Sequence, residues 1–202
     1  MPSDLQITNI RDQANANSAI TIASDGQITV NQNNPTITLG SNATGFTGVK
    51  VIDQWRLHTS FTGVGNPISS NLERNDTARA GFVGSAMTES SGIFTFPSTG
   101  LYLLIFNTVH QLDDNTRYIG TTINRVLSGS ASEQIKAYTH IYRTDSNATY
   151  AMNCVHTVFD CTDTSTDKVS FSVGEVGNAS TMTMGSTAYD FTCMRFIRLG
   201  DT

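Results

Sequence analysis

Gly92-Ile93-Phe94-Thr95-Phe96-Pro97-Ser98-Thr99-Gly100-Leu101-Tyr102-Leu103-Leu104-Ile105-Phe106 is the stretch that decides the fold. Residues 92–96 alternate apolar and small, as a strand does, and Pro-Ser-Thr-Gly at 97–100 is a turn. From Leu101 to Gln111 both sets of alternate positions are apolar. Leu101, Leu103, Ile105 and Val109 line one face; Tyr102, Leu104 and Phe106 line the other. A strand greasy on both faces must be covered on both. In a sandwich the facing sheet supplies one cover, and something else must supply the second.

Working outward, the same alternation predicts strands over 51–61 around Trp55, 81–87, 117–126, 134–143, 150–159, 168–173 and 189–199. The breaks are 67–76, 113–115, 128–132, 145–147 and 160–167, with a mobile loop over 174–185. Nine or ten strands at this spacing read as a β-sandwich or jelly roll. Composition agrees. Thr, Ser and Asn number 29, 20 and 16, about a third of the 202 residues, while charged residues are only 14%. Thr favours strands, and Ser and Asn favour turns over helix interiors.

Residues 1–50 differ from the rest. They hold one aromatic, Phe46, and three short repeats: Ile20-Thr21-Ile22, Ile28-Thr29-Val30 and Ile37-Thr38-Leu39. Asp25-Gly26 marks a hairpin turn between the first two. Strands this short cannot bury a core, so the segment reads as an attachment device, either an entwined stalk or an arm lying on another protein. The boundaries expected are 1–50 for this segment and 51–202 for a head.

Net charge is −5, with three Lys and nine scattered Arg, so no clustered positive field for nucleic acid exists. No apolar run reaches the ~20 residues of a membrane span. The N-terminus has neither the basic nor the apolar region of a signal peptide, so synthesis in a cytoplasm without secretory export is expected. Cys154, Cys161 and Cys193 make an odd, widely spaced set and read as small buried hydrophobes rather than a disulfide framework or a zinc site.

The four histidines, His58, His110, His140 and His156, fall in no metalloprotease motif, and no nucleophile elbow or phosphate loop occurs. No enzyme is expected. A glycan-degrading enzyme would need paired carboxylates that the sequence does not present. Asp113, Asp114 and Asp163 offer hard oxygens suited to Ca²⁺, but ordinary turn chemistry explains them as well, and no cofactor is expected. Asn42, Asn75, Asn147 and Asn178 head Asn-x-Ser/Thr triplets at the frequency chance supplies.

The segment 91–106 resembles the core signature of the C1q and tumour-necrosis-factor-like superfamily: Gly-x-Phe-x-x-Pro, then Gly-x-Tyr, then alternating apolar residues. Asp167-Lys168-Val169 is similar to the family's penultimate strand, and Tyr189, Phe191 and Phe196 to its closing strand. The family's collagen-like stalk is absent. The resemblance implies an all-β, ten-stranded jelly roll that assembles as a homotrimer. Tyr102, Leu104 and Phe106 are then expected at the three-fold interface, where burial of an aromatic is worth about 1.5–3 kcal/mol.

Ile7-Thr8-Asn9-Ile10, Arg11-Asp12-Gln13 and Ser24-Asp25-Gly26 are similar to the opening of many tailed-phage fibre and virion-surface proteins. The expectation is therefore a non-enzymatic virion protein. Residues 1–50 would bind other virion proteins, and the loops of the head would touch host-surface polysaccharide. A capsid decoration protein without a receptor is the alternative. Candidate contact loops are 113–117, 128–132 and 174–186, with Asp113, Asp114, Asn115, Arg117, Asn178 and Thr181 as the candidate contacts.

Overall fold

Alternation of the kind seen at 101–111 extends through almost every long segment, and the computed structural model is correspondingly all-β. It describes residues 9–11, 18–22, 28–30, 49–76, 80–127 and 130–202. The chain divides into two units, Met1–Phe46 and Thr47–Thr202. In the first, β1 (Asn9–Arg11), β2 (Ser18–Ile22) and β3 (Ile28–Val30) form an antiparallel sheet in the order β1-β2-β3. Pairing of Ile22 with Ile28 joins the two Ile-Thr repeats in register. Ile37-Thr38-Leu39 and Asp25-Gly26 lie outside the described residues.

The second unit carries β4 (Ile52–Leu57), β5 (Phe61–Thr62), β6 (Leu72–Arg74), β7 (Thr88–Ser90), β8 (Ile93–Thr95), β9 (Gly100–Leu112), β10 (Thr116–Leu127), β11 (Ser130–Ile141), β12 (Thr149–Cys161), β13 (Lys168–Val176), β14 (Met182–Thr183) and β15 (Cys193–Gly200). One sheet runs β11-β10-β13-β8-β7. The other runs β5-β14-β9-β15-β4-β6, and β12 bonds the free side of β9. All pairings are antiparallel, and the two sheets form a sandwich.

Phe94 of the deciding segment is the hub of the core. Its ring lies 5.3 Å from Trp55, 5.4 Å from Phe171 and 5.1 Å from Phe196, centroid to centroid, within the range in which aromatic pairs attract. Phe96 stacks on Phe159 at 4.8 Å and meets Tyr102 at 4.6 Å. The glycines of the segment are required. Gly92 and Gly100 have φ of +81° and +136°, and a Cβ would come within 2.4 Å of the Ile68 carbonyl or 2.5 Å of the Gly200 carbonyl.

The structure corrects the expected interface. Tyr102, Leu104 and Phe106 are fully buried within the single chain. They pack against the facing sheet, and the Tyr102 hydroxyl donates to the Ser98 carbonyl at 2.9 Å. Burial raises the Tyr102 pKa. A period of two separates two faces but does not say which is inside. Aromatic rings fill the sandwich, and the smaller set, Leu101, Leu103, Ile105 and Val109, points outward.

Other differences are local. The 81–87 strand is replaced by a single bridge of Val83 to Ile52, and 67–76 contains β6. The loop expected over 174–185 holds the end of β13 and all of β14. Of 128–132, residues 130–132 belong to β11 and 128–129 lie outside the described residues.

Candidate functional site

Two surfaces carry side chains that the core does not use. The first is the outward face of the sheet around β9. Directly paired residues of antiparallel strands share a face, so the pairings map it. Met152 lies beside Val109, Cys154 beside Asn107, His156 beside Ile105 and Val158 beside Leu103 on the β12 side. On the β15 side Asn107 meets Cys193, Ile105 meets Arg195 and Leu103 meets Ile197. Leu103, Ile105, Val109 and Ile197 are half-buried, and Met152 and Val158 are 66% and 47% exposed. This is a broad, mainly aliphatic surface on a chain whose core is already complete.

Charge gathers at its far margin. Arg56, on the outward row of β4, is buried beneath Glu73 at 2.7 Å and Asp76 at 2.8 Å. Asp190 takes two hydrogen bonds from Asn75 Nδ2 and lies 3.7 Å from Arg195. Inward on the same strand, buried Asp53 accepts from Trp55 Nε1, Arg74 Nε and the Met87 amide at 2.9–3.1 Å. Sequence reasoning found neither cluster, because most of the partners are 17 to 115 positions apart and only the sheet register unites them.

The second surface is a groove of about 440 Å³ at the end of β9, lined by Thr62, Gln111, Leu112, Asp113, Asp114, Asn178, Ser180 and Met182. Thr62, Met182 and Gln111 are cross-strand neighbours and form one wall. Two of the expected contact loops meet here. Asn178 Nδ2 donates to Asp114 Oδ2 at 3.2 Å and to the Asn115 carbonyl at 3.4 Å. Asn115 also accepts the Arg143 amide at 2.6 Å. Arg117 is exposed just beyond. Thr181 is corrected: it is fully buried, and its hydroxyl donates to the Asn178 carbonyl at 2.7 Å. It shapes the loop from within and cannot touch a ligand.

The calcium set is likewise corrected. Asp163 follows β12 past Cys161, which pairs with Gly100, whereas Asp113 and Asp114 follow Leu112 at the other end of β9. Twelve steps of strand separate the ends by roughly 40 Å, so no single ion can use all three. Asp163 instead accepts the Ser165 amide and hydroxyl at 2.8 and 2.7 Å, which lower its pKa. Among the described residues no group of three His, Cys, Asp or Glu is placed to hold a metal.

The cysteines divide. Cys161 and Cys193 are buried, and burial pushes the Cys161 thiol up to about 11. Cys154 is exposed on the aliphatic face, a correction to the reading of all three as buried. His110 is buried between the sheets, its ring nitrogens 2.8 Å from Thr108 Oγ1 and 3.2 Å from Thr183 Oγ1. Desolvation lowers its pKa to about 4.

No protein-family model matches the chain, and no curated protein matches it. Solved structures do. Eiger TNF from S. frugiperda superposes with a TM-score of 0.51 at 12% identity, over 75% of this chain and 93% of that one. Murine APRIL at pH 8.5 gives 0.48 at 14% identity, over 74% of this chain and 98% of that one. The Eiger likeness establishes the fold: residues 49–202 form a TNF-like jelly roll.

Proposed function

We propose that the chain is a non-enzymatic structural protein that works as a homotrimer. The observation that carries this is the aliphatic outward face of β12, β9 and β15. A monomer would leave Met152, Val158, Leu103, Ile105 and Ile197 in water although its core needs none of them. Contiguous apolar surfaces of this kind mark association sites. Three copies, rather than two, is the number that the resemblance to C1q and TNF-like proteins implies. The groove near Asp114 and Asn178 then stands at the rim of the assembly, beside Gln111 on the same outward row as Val109.

Within that reading the protein belongs to a tailed-phage virion. Residues 1–50 attach it to the particle, and the head presents its loops to host-surface glycan. The fibre-like N-terminal sequence supports the attachment. The charge-poor, hydroxyl- and amide-rich surface supports contact with neutral sugars, where three weak sites act together.

Sedimentation equilibrium of the full chain tests the assembly. The expected mass is three times 21.8 kDa; a stable monomer at micromolar concentration overturns the proposal. Antibody labelling of particles in electron micrographs tests the location. Label at fibre tips supports the adhesive role, and label spread over the capsid supports decoration.

A further inference from the structure

We propose that the outward face of the other sheet, around Tyr138, is a stacking platform for neutral oligosaccharide. Phenylalanines are mostly spent on the core, but tyrosines are not. Tyr118, Tyr138 and Tyr142 are 39%, 55% and 71% exposed. Tyr118 precedes Gly120 by two residues on β10 and so shares its face. Gly120 pairs with Tyr138 on one side and Glu175 on the other. Tyr142 continues the outward alternation of β11 from Tyr138.

The geometry fixes the central ring. The Tyr138 hydroxyl donates to Glu175 Oε2 at 2.7 Å, reaching from β11 across β10 to β13. Its side chain must therefore lie along the sheet and over Gly120, where a Cβ would come within 3.1 Å of the ring. One edge of the ring meets the backbone, Lys136 Nζ lies 5.7 Å from the ring centroid, and the residue is still 55% exposed. A tyrosine held this way offers a flat apolar surface with little rotamer entropy left to lose on binding. The charges beside it cancel: Lys136 Nζ donates to Glu175 Oε1 at 2.7 Å. The platform is thus aromatic, flat and locally neutral. That combination suits the C–H faces of uncharged pyranose rings, with hydroxyls bonding to the tyrosine and carboxylate edges, rather than an acidic glycan or a charged peptide. Tyr142 follows the last residue of β11, and four extended residues from Tyr138 span at most roughly 13 Å, a span for an oligosaccharide of a few rings.

The inference rests on the reading of the head as a glycan-contacting module, and one experiment separates the two. Full-length protein is titrated with cello-, malto- and chitohexaose, alongside Tyr138→Ala, Tyr142→Ala, Tyr138→Phe and Asp114→Ala, each checked for native circular dichroism. The platform predicts roughly tenfold weaker binding for either alanine variant at 138 or 142. It predicts a smaller loss for Tyr138→Phe, which keeps the ring but not its bond to Glu175, and near-normal binding for Asp114→Ala. Tyr142→Ala keeps the test sound if Tyr138→Ala unfolds, because Tyr142 is the most exposed of the three. Wild-type binding that survives both alanines but falls with Asp114→Ala overturns the platform and leaves the glycan reading standing. No binding of wild type to any neutral hexasaccharide overturns both.

Discussion

The two outward faces of the sandwich use the same backbone geometry for opposite ends. Around β9 the outward residues are mainly aliphatic, and the row Val158, Leu103 and Ile197 is aliphatic across three strands. Around β10 they include exposed tyrosines, of which Tyr138 is anchored by a hydrogen bond to Glu175, with the Lys136–Glu175 ion pair beside it. An aliphatic face gains from being shut away from water against a matching surface. An amphipathic aromatic face tolerates water and can wait for a ligand. The first suits permanent association between copies, the second reversible contact.

Charge placed on each face is the strongest test of that contrast. Leu103→Arg with Ile105→Arg is expected to abolish the proposed trimer, dropping the sedimented mass to that of one chain. Tyr138→Arg leaves the mass unchanged. Equal effects from the two would erase the distinction.

The layer between the faces responds to acid. His110 titrates at about 4 when folded, against about 6.5 when unfolded. Between those values the unfolded chain binds the extra proton, so stability rises with pH in that window. It is fully present above pH 6.5 and is lost as pH falls toward 4. The loss from this group is about 3 kcal/mol. Urea unfolding at fixed protein concentration should show that slope in wild type and a flatter one in His110→Gln.

Cys154 reports the aliphatic face directly. Its maleimide labelling should slow roughly tenfold or more on assembly, while Leu103→Arg with Ile105→Arg restores fast labelling; equal rates in both would remove Cys154 from the interface. The smallest effect belongs to the groove. Asn178→Ala removes exposed hydrogen bonds to Asp114 and the Asn115 carbonyl and one from the Ser180 amide, and should lower the melting temperature by about 3 °C, with no change in mass.

The long strands were legible because alternation over ten or more residues leaves one reading of the local structure. The sign of the faces was not legible. With Leu, Ile, Tyr and Phe on both sides of β9, nothing local distinguishes inside from outside; the facing sheet decides, and it took the rings. Position 181 misled for a similar reason. Threonine suits an exposed loop equally well, and only β14 closing on β9 buried it. The Asp53 and Arg56 clusters depend on register between strands remote in sequence. The proposed tyrosine platform could have been suspected from Tyr138 and Tyr142, four positions apart, but Gly120 and Glu175 join Tyr138 only once β10 lies between β11 and β13.

The scarcity of charge at the centre of the aliphatic face, around Leu103, has an environmental consequence. Screening shortens from about 10 Å at 0.1 M ionic strength to about 3 Å at 1 M, but it has little here to weaken, since Arg195 is already matched to Asp190. An assembly closed through Leu103, Ile105 and Ile197 would hold as firmly in brine as in fresh water.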